Sequence, residues 1–177
     1  TELRHAVEHH ELRLYLQPKV PLHGQPGLAA EALVRWQHPQ RGLVPPMQFI
    51  PFAEQTGFVR HLTLWMFEEV ARLLADPRTQ GLPLRVSVNL STRDLLDPEL
   101  SHRLADILAR HGVAASAFCL EITESAIMDD PQRAEAMLNR LSEQGFKLSI
   151  DDFGTGYSSL AYLCLLYTSD AADEEDS

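Results

Sequence analysis

Four side chains with oxygen donors recur at matching places in four apolar stretches: Glu31 in AAEALVRWQH, Asn89 in LRVSVNLS, Glu121 in FCLEITE and Asp151 in FKLSID. Three carboxylates gathered in one cleft repel each other and are costly to strip of water. A hard divalent cation removes that cost, and an all-oxygen set without His or Cys selects Mg²⁺ or Mn²⁺ over Zn²⁺. Asp152 follows Asp151 directly and is placed to reach a second ion. Paired ions suit phosphodiester hydrolysis, because one lowers the pKa of a water while the pair steadies the attacking and leaving oxygens. Arg35 and Gln17 are expected to project into the same mouth, and a guanidinium there suits a phosphate through a forked, charge-assisted contact.

The elements that must position these groups are legible as periodicities. LRLYLQPKV sets Leu12, Leu14 and Leu16 against Arg13, Tyr15, Gln17 and Lys19, and LRVSVNLS sets Leu84, Val86, Val88 and Leu90 against Arg85, Ser87 and Asn89. FCLEITE and FKLSID alternate likewise, with Phe118, Leu120, Ile122 and Phe146, Leu148, Ile150 on their apolar sides. Period two predicts strands. Between them, Leu62, Trp65, Met66, Val70 and Leu73 predict a helix over 59–75. Asp97-Pro98-Glu99 predicts a helix start with Gly112 as its stop, and Asp130-Pro131 predicts another that stops at Gly145.

Alternating strands and helices argue for parallel βα units with helices on the outer face. Strands buried on both faces would read as continuous apolar runs, whereas these are two-faced, so their polar sides must share an interior. A (β/α)8 barrel with its site at the C-terminal strand ends fits this pattern. Such barrels run to ~250 residues; about five strands are legible here, so the barrel is expected to be incomplete. DDFGTGYSS adds a turn in which Gly154 and Gly156 permit close backbone approach ahead of a helix.

Composition narrows the classes. The chain has 177 residues, 45% of them hydrophobic, which suffices for a sizeable core. No apolar run is long enough to cross a bilayer, and TELRHAVEHH lacks a signal-peptide pattern, so a cytoplasmic location is expected, with tethering through regions outside this sequence left open. Cys119 and Cys164 form no CxxC pair, in keeping with a reducing compartment. Net charge is −10, half of it carried by five acidic residues among the last eight. The acidic body that remains argues against duplex nucleic acid as a partner. ELRHAVEHHELRL has the charge pattern of a helix already under way, so further chain is expected upstream.

EALVRW resembles the signature of the EAL-type cyclic di-GMP phosphodiesterases, and YLQPKV, FIPFAEQTGFV, VSVNLS, LEITES and DDFGTGYSSLAYL follow in that family's order. The resemblance runs from about Leu12 to Leu163 and implies a modified (β/α)8, TIM-like barrel whose first strand is antiparallel to the rest. It implies that Glu31, Asn89, Glu121 and Asp151 are metal ligands and that Asp152 serves a second metal site. Gln17, Leu33 and Arg35 would contact the dinucleotide, and Glu124 would hold the loop after the fourth strand. The implied activity is hydrolysis of cyclic di-GMP to linear pGpG with Mg²⁺ or Mn²⁺. An upstream sensor or cyclase-like domain and a homodimer are the implied partners.

After Leu163 the resemblance stops, because CLLYTSDAADEEDS carries no counterpart of the family's lysine, general-base glutamate or late glutamine. Residues 1–163 are therefore expected to be the N-terminal two thirds of the domain and 164–177 an artefactual acidic tail. This chain alone is expected to be inactive and poorly stable, with unpaired strand edges.

Each site residue also has a plain structural role. Glu31 and Arg35 could form a salt bridge, Asn89 could end a strand, and Asp151-Asp152 could cap a helix. Shared parity across four strands favours a common site over these. His9 and His10 read as a solvated face, Trp65, Met66 and Phe67 as core, and HPQRGLVPPMQF as a barrel loop. Lys19 and Arg13 remain open to either role. Two other functions fit less well: a non-catalytic cyclic di-GMP receptor, and an enolase-type barrel, which would need a Lys or His base.

Overall fold

The period-two stretches become a sheet with one face sealed by helices. The structure is a computed structural model that describes residues 2–19 and 28–151, Asp151 by its backbone alone. Helix α1 (Glu2–Glu8) leads into β1 (Leu12–Lys19), β2 (Leu28–His38) and β3 (Gly42–Val44). Helices α2 (Ile50–Thr56) and α3 (Val59–Ala75) precede β4 (Leu84–Leu90); α4 (Thr92–Leu95) and α5 (Leu100–His111) precede β5 (Phe118–Thr123); α6 (Glu124–Asp129) and α7 (Pro131–Glu143) precede β6 (Lys147–Asp151).

The strand order is β1-β2-β4-β5-β6, with β3 paired to β2. β1 and β3 run antiparallel to β2, while β2, β4, β5 and β6 are mutually parallel. This is the expected opening of a barrel with an antiparallel first strand. Among the described residues the sheet is open, with β1 and β6 as its margins. No helix among them is long and apolar enough to cross a membrane.

The core lies between the sheet and its helices. Ala30, Ala32, Val34 and Trp36 alternate into it from β2, as do Val86, Val88 and Leu90 from β4 and Phe118, Leu120 and Ile122 from β5. Phe67 of α3 stacks on Phe118 with ring centroids 5.2 Å apart, and Phe146, just ahead of β6, meets both rings edge-on. Such offset and edge contacts add to the area that aromatic rings bury. Leu16 is the exception on its strand's apolar side at 37% exposed, because β1 is a margin and α1 buries Leu3 and Ala6 nearer its Leu12 end.

Helix ends follow local chemistry. Asp130 accepts from the Arg133 amide with Pro131 at the first helical position, as expected, and Gly112 and Gly145 take left-handed conformations beyond their helices. The helix expected from Asp97 begins later, at Leu100. Asp97 still caps this segment, its Oδ1 accepting from the Glu99 amide at 3.0 Å and its carbonyl from the Leu100 amide at 3.1 Å, so Asp97-Pro98-Glu99 forms a turn ahead of α5. The proline-rich span expected to be loop holds β3 and a 3₁₀ turn at Pro46–Gln48. Backbone pairing of Trp36, Gln37 and His38 with Val44, Leu43 and Gly42 accounts for β3.

Phe118→Ala should lower the unfolding free energy of the full chain by about 3–5 kcal/mol. Leu82→Ala, at a side chain 50% exposed, should change it by less than about 0.5 kcal/mol. Urea denaturation of both variants checks the contrast.

Candidate active site

Strand parity puts the polar partners of the core residues on one face. Gln17 pairs with Glu31 across β1 and β2, Glu31 with Ser87 across β2 and β4, and Asn89 with Glu121 across β4 and β5. Glu31 and Asn89 are thus diagonal neighbours, within side-chain reach. The Asn89 amide donates to Glu31 Oε1 at 3.2 Å. Three of the four expected ligands therefore sit together. Asp151 ends β6 opposite Thr123, but its side chain and Asp152 lie outside the described residues, as does the Gly154–Gly156 turn.

Glu31 does not lie at the end of its strand. It is the last residue of β2 paired with β4, and β2 then continues to His38, held by β1 and β3. The longer strand carries Leu33 and Arg35 beyond that shared pairing. Leu33 lines a cavity with Asn89. Arg35 makes no ion pair with Glu31; its guanidinium lies 5.8 Å from the centre of the Tyr15 ring, and Nη1 donates to the Val34 carbonyl at 3.0 Å. Glu124 is buried at the start of α6, whose cap is Thr123, accepting from the Ala126 amide at 3.2 Å.

The structure adds Lys19, whose role the sequence leaves open. Its ammonium donates to Glu121 Oε1 and, at 3.1 Å, to Ser87 Oγ. Burial pulls the Lys19 pKa down, but the hydrogen bond to Glu121 and the charges of Glu121 and Glu31 outweigh it and hold the pKa above its ordinary value. Glu121 is 7% exposed, so a charge partner is what makes its burial tolerable. Lys19 shares strand parity with Gln17, and that was the available signal.

Beside these residues lies a cavity of about 600 Å³, bounded by Leu33, Asn89, Met47, Ile50 and Thr123. That volume suits a drug-sized or nucleotide-sized ligand. The turn leaving β4 forms part of its wall and is held by Asp94. Asp94 Oδ2 accepts from the Ser91 amide, the Ser91 hydroxyl and the Thr63 hydroxyl, each at 2.8 Å, while Ser91 Oγ accepts from the Asp94 amide at 3.2 Å. This reciprocal cap satisfies the start of α4, and its signature in the sequence is Ser91-x-x-Asp94. Burial pushes the Asp94 carboxyl up to about 6, against the opposing pull of the Ser91 and Thr63 donors.

The donors present fit a hard cation, since Glu31, Asn89 and Glu121 offer only carboxylate and amide oxygens. Among the described residues no three His, Cys, Asp or Glu side chains converge closely enough to hold an ion by themselves.

Comparison with known proteins places this geometry. A family model described as the EAL domain matches residues 1–169. The cyclic di-GMP phosphodiesterase PdeR of Escherichia coli is 39% identical over 163 residues, covering 92% of this chain and 24% of PdeR. The bifunctional diguanylate cyclase/cyclic di-GMP phosphodiesterase MucR of Pseudomonas aeruginosa is 41% identical over 163 residues, again 92% of this chain and 24% of MucR. The chain thus spans about a quarter of the length of these curated relatives. Among solved structures, the MucR phosphodiesterase in complex with cyclic di-GMP aligns with a TM-score of 0.83 at 41% identity, over 92% of this chain and 66% of that one. The FimX EAL domain of Pseudomonas aeruginosa bound to cyclic di-GMP aligns with a TM-score of 0.82 at 25% identity, over 91% and 64%.

The raised carboxyl of Asp94 makes stability depend on pH. Folded, it takes a proton near pH 6; unfolded, only near 3.8. The folded state holds the extra proton between those values, so this contribution is fully present below pH 3.8 and is lost as pH rises through 6. The stability difference between the wild type and Asp94→Asn should be larger at pH 4.5 than at pH 7 by roughly 2 kcal/mol. Urea titrations at both pH values measure it, and an equal difference would show that this carboxyl does not titrate there.

Proposed function

Since the chain belongs to the EAL domain family, we propose that the protein carrying it hydrolyses cyclic di-GMP to the linear dinucleotide pGpG with Mg²⁺ or Mn²⁺. Membership brings a TIM-like barrel fold, of which the described strands form an open part. The observation that carries the functional reading is the run of Glu31, Asn89 and Glu121 across three neighbouring strands, beside a cavity of about 600 Å³.

Glu31, Asn89, Glu121 and Asp151 would hold one ion, and Asp152 would serve a second. Bound there, the ions supply a water of lowered pKa and offset the charge that builds on the phosphodiester. The chain's own residues orient the substrate. Arg35, resting against Tyr15, presents a planar fork of donors to a phosphate oxygen pair. Gln17, paired with Glu31, adds an amide at the same level, and Leu33 gives the cavity an apolar wall against a base. Lys19 holds Glu121 aimed at the shared face. Glu124, buried in the first turn of α6, would hold the segment that leaves β5 directly as a helix. Water adds across one phosphodiester bond, opening the ring and leaving one end as a phosphate monoester.

An upstream sensor or cyclase-like domain, a homodimeric assembly and a cytoplasmic location belong to the same proposal. The cyclase named together with a phosphodiesterase in the relative MucR supports the first of these.

In the full-length protein with Mn²⁺, Glu31→Gln should lower turnover of cyclic di-GMP by more than about a hundredfold while leaving the unfolding midpoint in place. Unchanged turnover would end the catalytic reading. Binding of cyclic di-GMP by the wild type without any turnover would replace it with the receptor reading. Arg35→Ala should weaken cyclic di-GMP binding about tenfold or more, measured by calorimetry on metal-free protein.

A further inference from the structure

A second cleft, of about 520 Å³, adjoins the candidate active site, because Glu54, Ser91 and Thr92 line both cavities. Three arginines reach it from separate elements: Arg60 in the first turn of α3, Arg93 in α4 and Arg133 in the first turn of α7. Two of them are anchored by the backbone. Arg93 Nη2 donates to the Gln55 carbonyl at 3.2 Å and Arg133 Nη2 to the Leu96 carbonyl at 2.9 Å, which leaves the rest of each guanidinium fork available. Arg60 Nε is buried and has no hydrogen-bond acceptor. Among the described residues, the arginines that form ion pairs are Arg41, Arg72, Arg78, Arg103 and Arg110, and none of the three in the cleft is among them.

A buried donor without an acceptor is costly, and guanidiniums that line one cleft outside any ion pair repel. Both problems disappear if the acceptor comes from a ligand. Glu54 and Asp129 line the same cleft and offset part of its charge, so attraction by charge alone is modest. Recognition then rests on forked hydrogen bonds, which a phosphate group accepts and a halide does not. We propose that Arg60, Arg93 and Arg133 form a phosphate-binding site distinct from the Glu31–Asn89–Glu121 face, which takes inorganic phosphate or the terminal phosphate of a nucleotide. It does not depend on the catalytic reading. Because Ser91 and Thr92 follow Asn89 on the same turn, a ligand held there bears directly on the strand end that carries Asn89.

The test is calorimetric titration of metal-free, full-length protein at fixed ionic strength with inorganic phosphate, guanosine 5′-monophosphate and guanosine. Arg60→Gln and Arg133→Gln are the site variants, Arg4→Gln, exposed on α1 away from both cavities, is the charge control, and Arg35→Gln reports occupancy of the neighbouring face. Saturable one-to-one binding of phosphate and of the monophosphate, weakened about tenfold or more in both site variants and unchanged in Arg4→Gln, is the expected result. Equal affinity for the two ligands identifies free phosphate as the natural occupant, and a monophosphate that binds more than about tenfold tighter identifies a nucleotide. The Arg60 side chain donates no hydrogen bond within the described residues, so Arg60→Gln should keep the wild-type urea midpoint and report on binding alone. No saturable phosphate binding, binding that survives Arg60→Gln, or binding lost only in Arg35→Gln would overturn the proposal.

Discussion

Two carboxylates on the strands that flank β4 must share one face of a sheet whose other face is closed by helices, and the rest of the site is arranged around that repulsion. Glu31 is met by the Asn89 amide and Glu121 by the Lys19 ammonium. Both partners come from strands, so their aim is set by backbone pairing and not by loop conformation. Ser87, paired with Glu31 and diagonal to Glu121, gives Lys19 a second acceptor and fixes where its charge sits. A face organised in this way is acidic, preshaped and lined with hard oxygens. Those are the properties a divalent cation and a phosphodiester require together.

The scaffold reaches that face mainly through the turn leaving β4. Asn89 is two residues from Ser91, and Ser91 is locked to Asp94, which in turn is locked to Thr63 in α3. A buried carboxylate is an expensive way to hold a turn unless every donor around it is used. Here three donors converge on one oxygen, so the cap and the interhelical tie are the same set of bonds. The wall of the cavity is therefore continuous with the core beneath it.

Much of this was legible in the residues themselves. The helix over Val59–Ala75 has the predicted bounds, because its apolar stripe packs on the sheet along its whole length. Asp130-Pro131 starts α7 as predicted, because capping is a local matter of one side chain and one amide. Parity correctly put Glu31, Asn89 and Glu121 on one face. What parity could not reveal is which strand pairs where. The extension of β2 beyond Glu31 depends on β1, which was legible, and on β3, which at three residues is too short to leave a signal. Lys19 had the right parity, but its partner Glu121 is 102 residues away. α5 starts three residues after Asp97 because that carboxylate caps a turn, holding the Glu99 amide, before the helical bonds begin.

β2 serves two masters at alternate residues: Ala30, Ala32, Val34 and Trp36 fill the core, while Glu31, Leu33 and Arg35 face the site. Core and chemistry are thereby written in the same two-letter rhythm, and a slip of one residue would exchange them wholesale. Evolution can vary the letters on the site side of this strand one at a time, tuning affinity while the core stands. It cannot add or drop a single letter without moving an acid and an arginine into the interior. Variation in β2 is thus confined to replacement, and changes of length must be absorbed by the connections at either end.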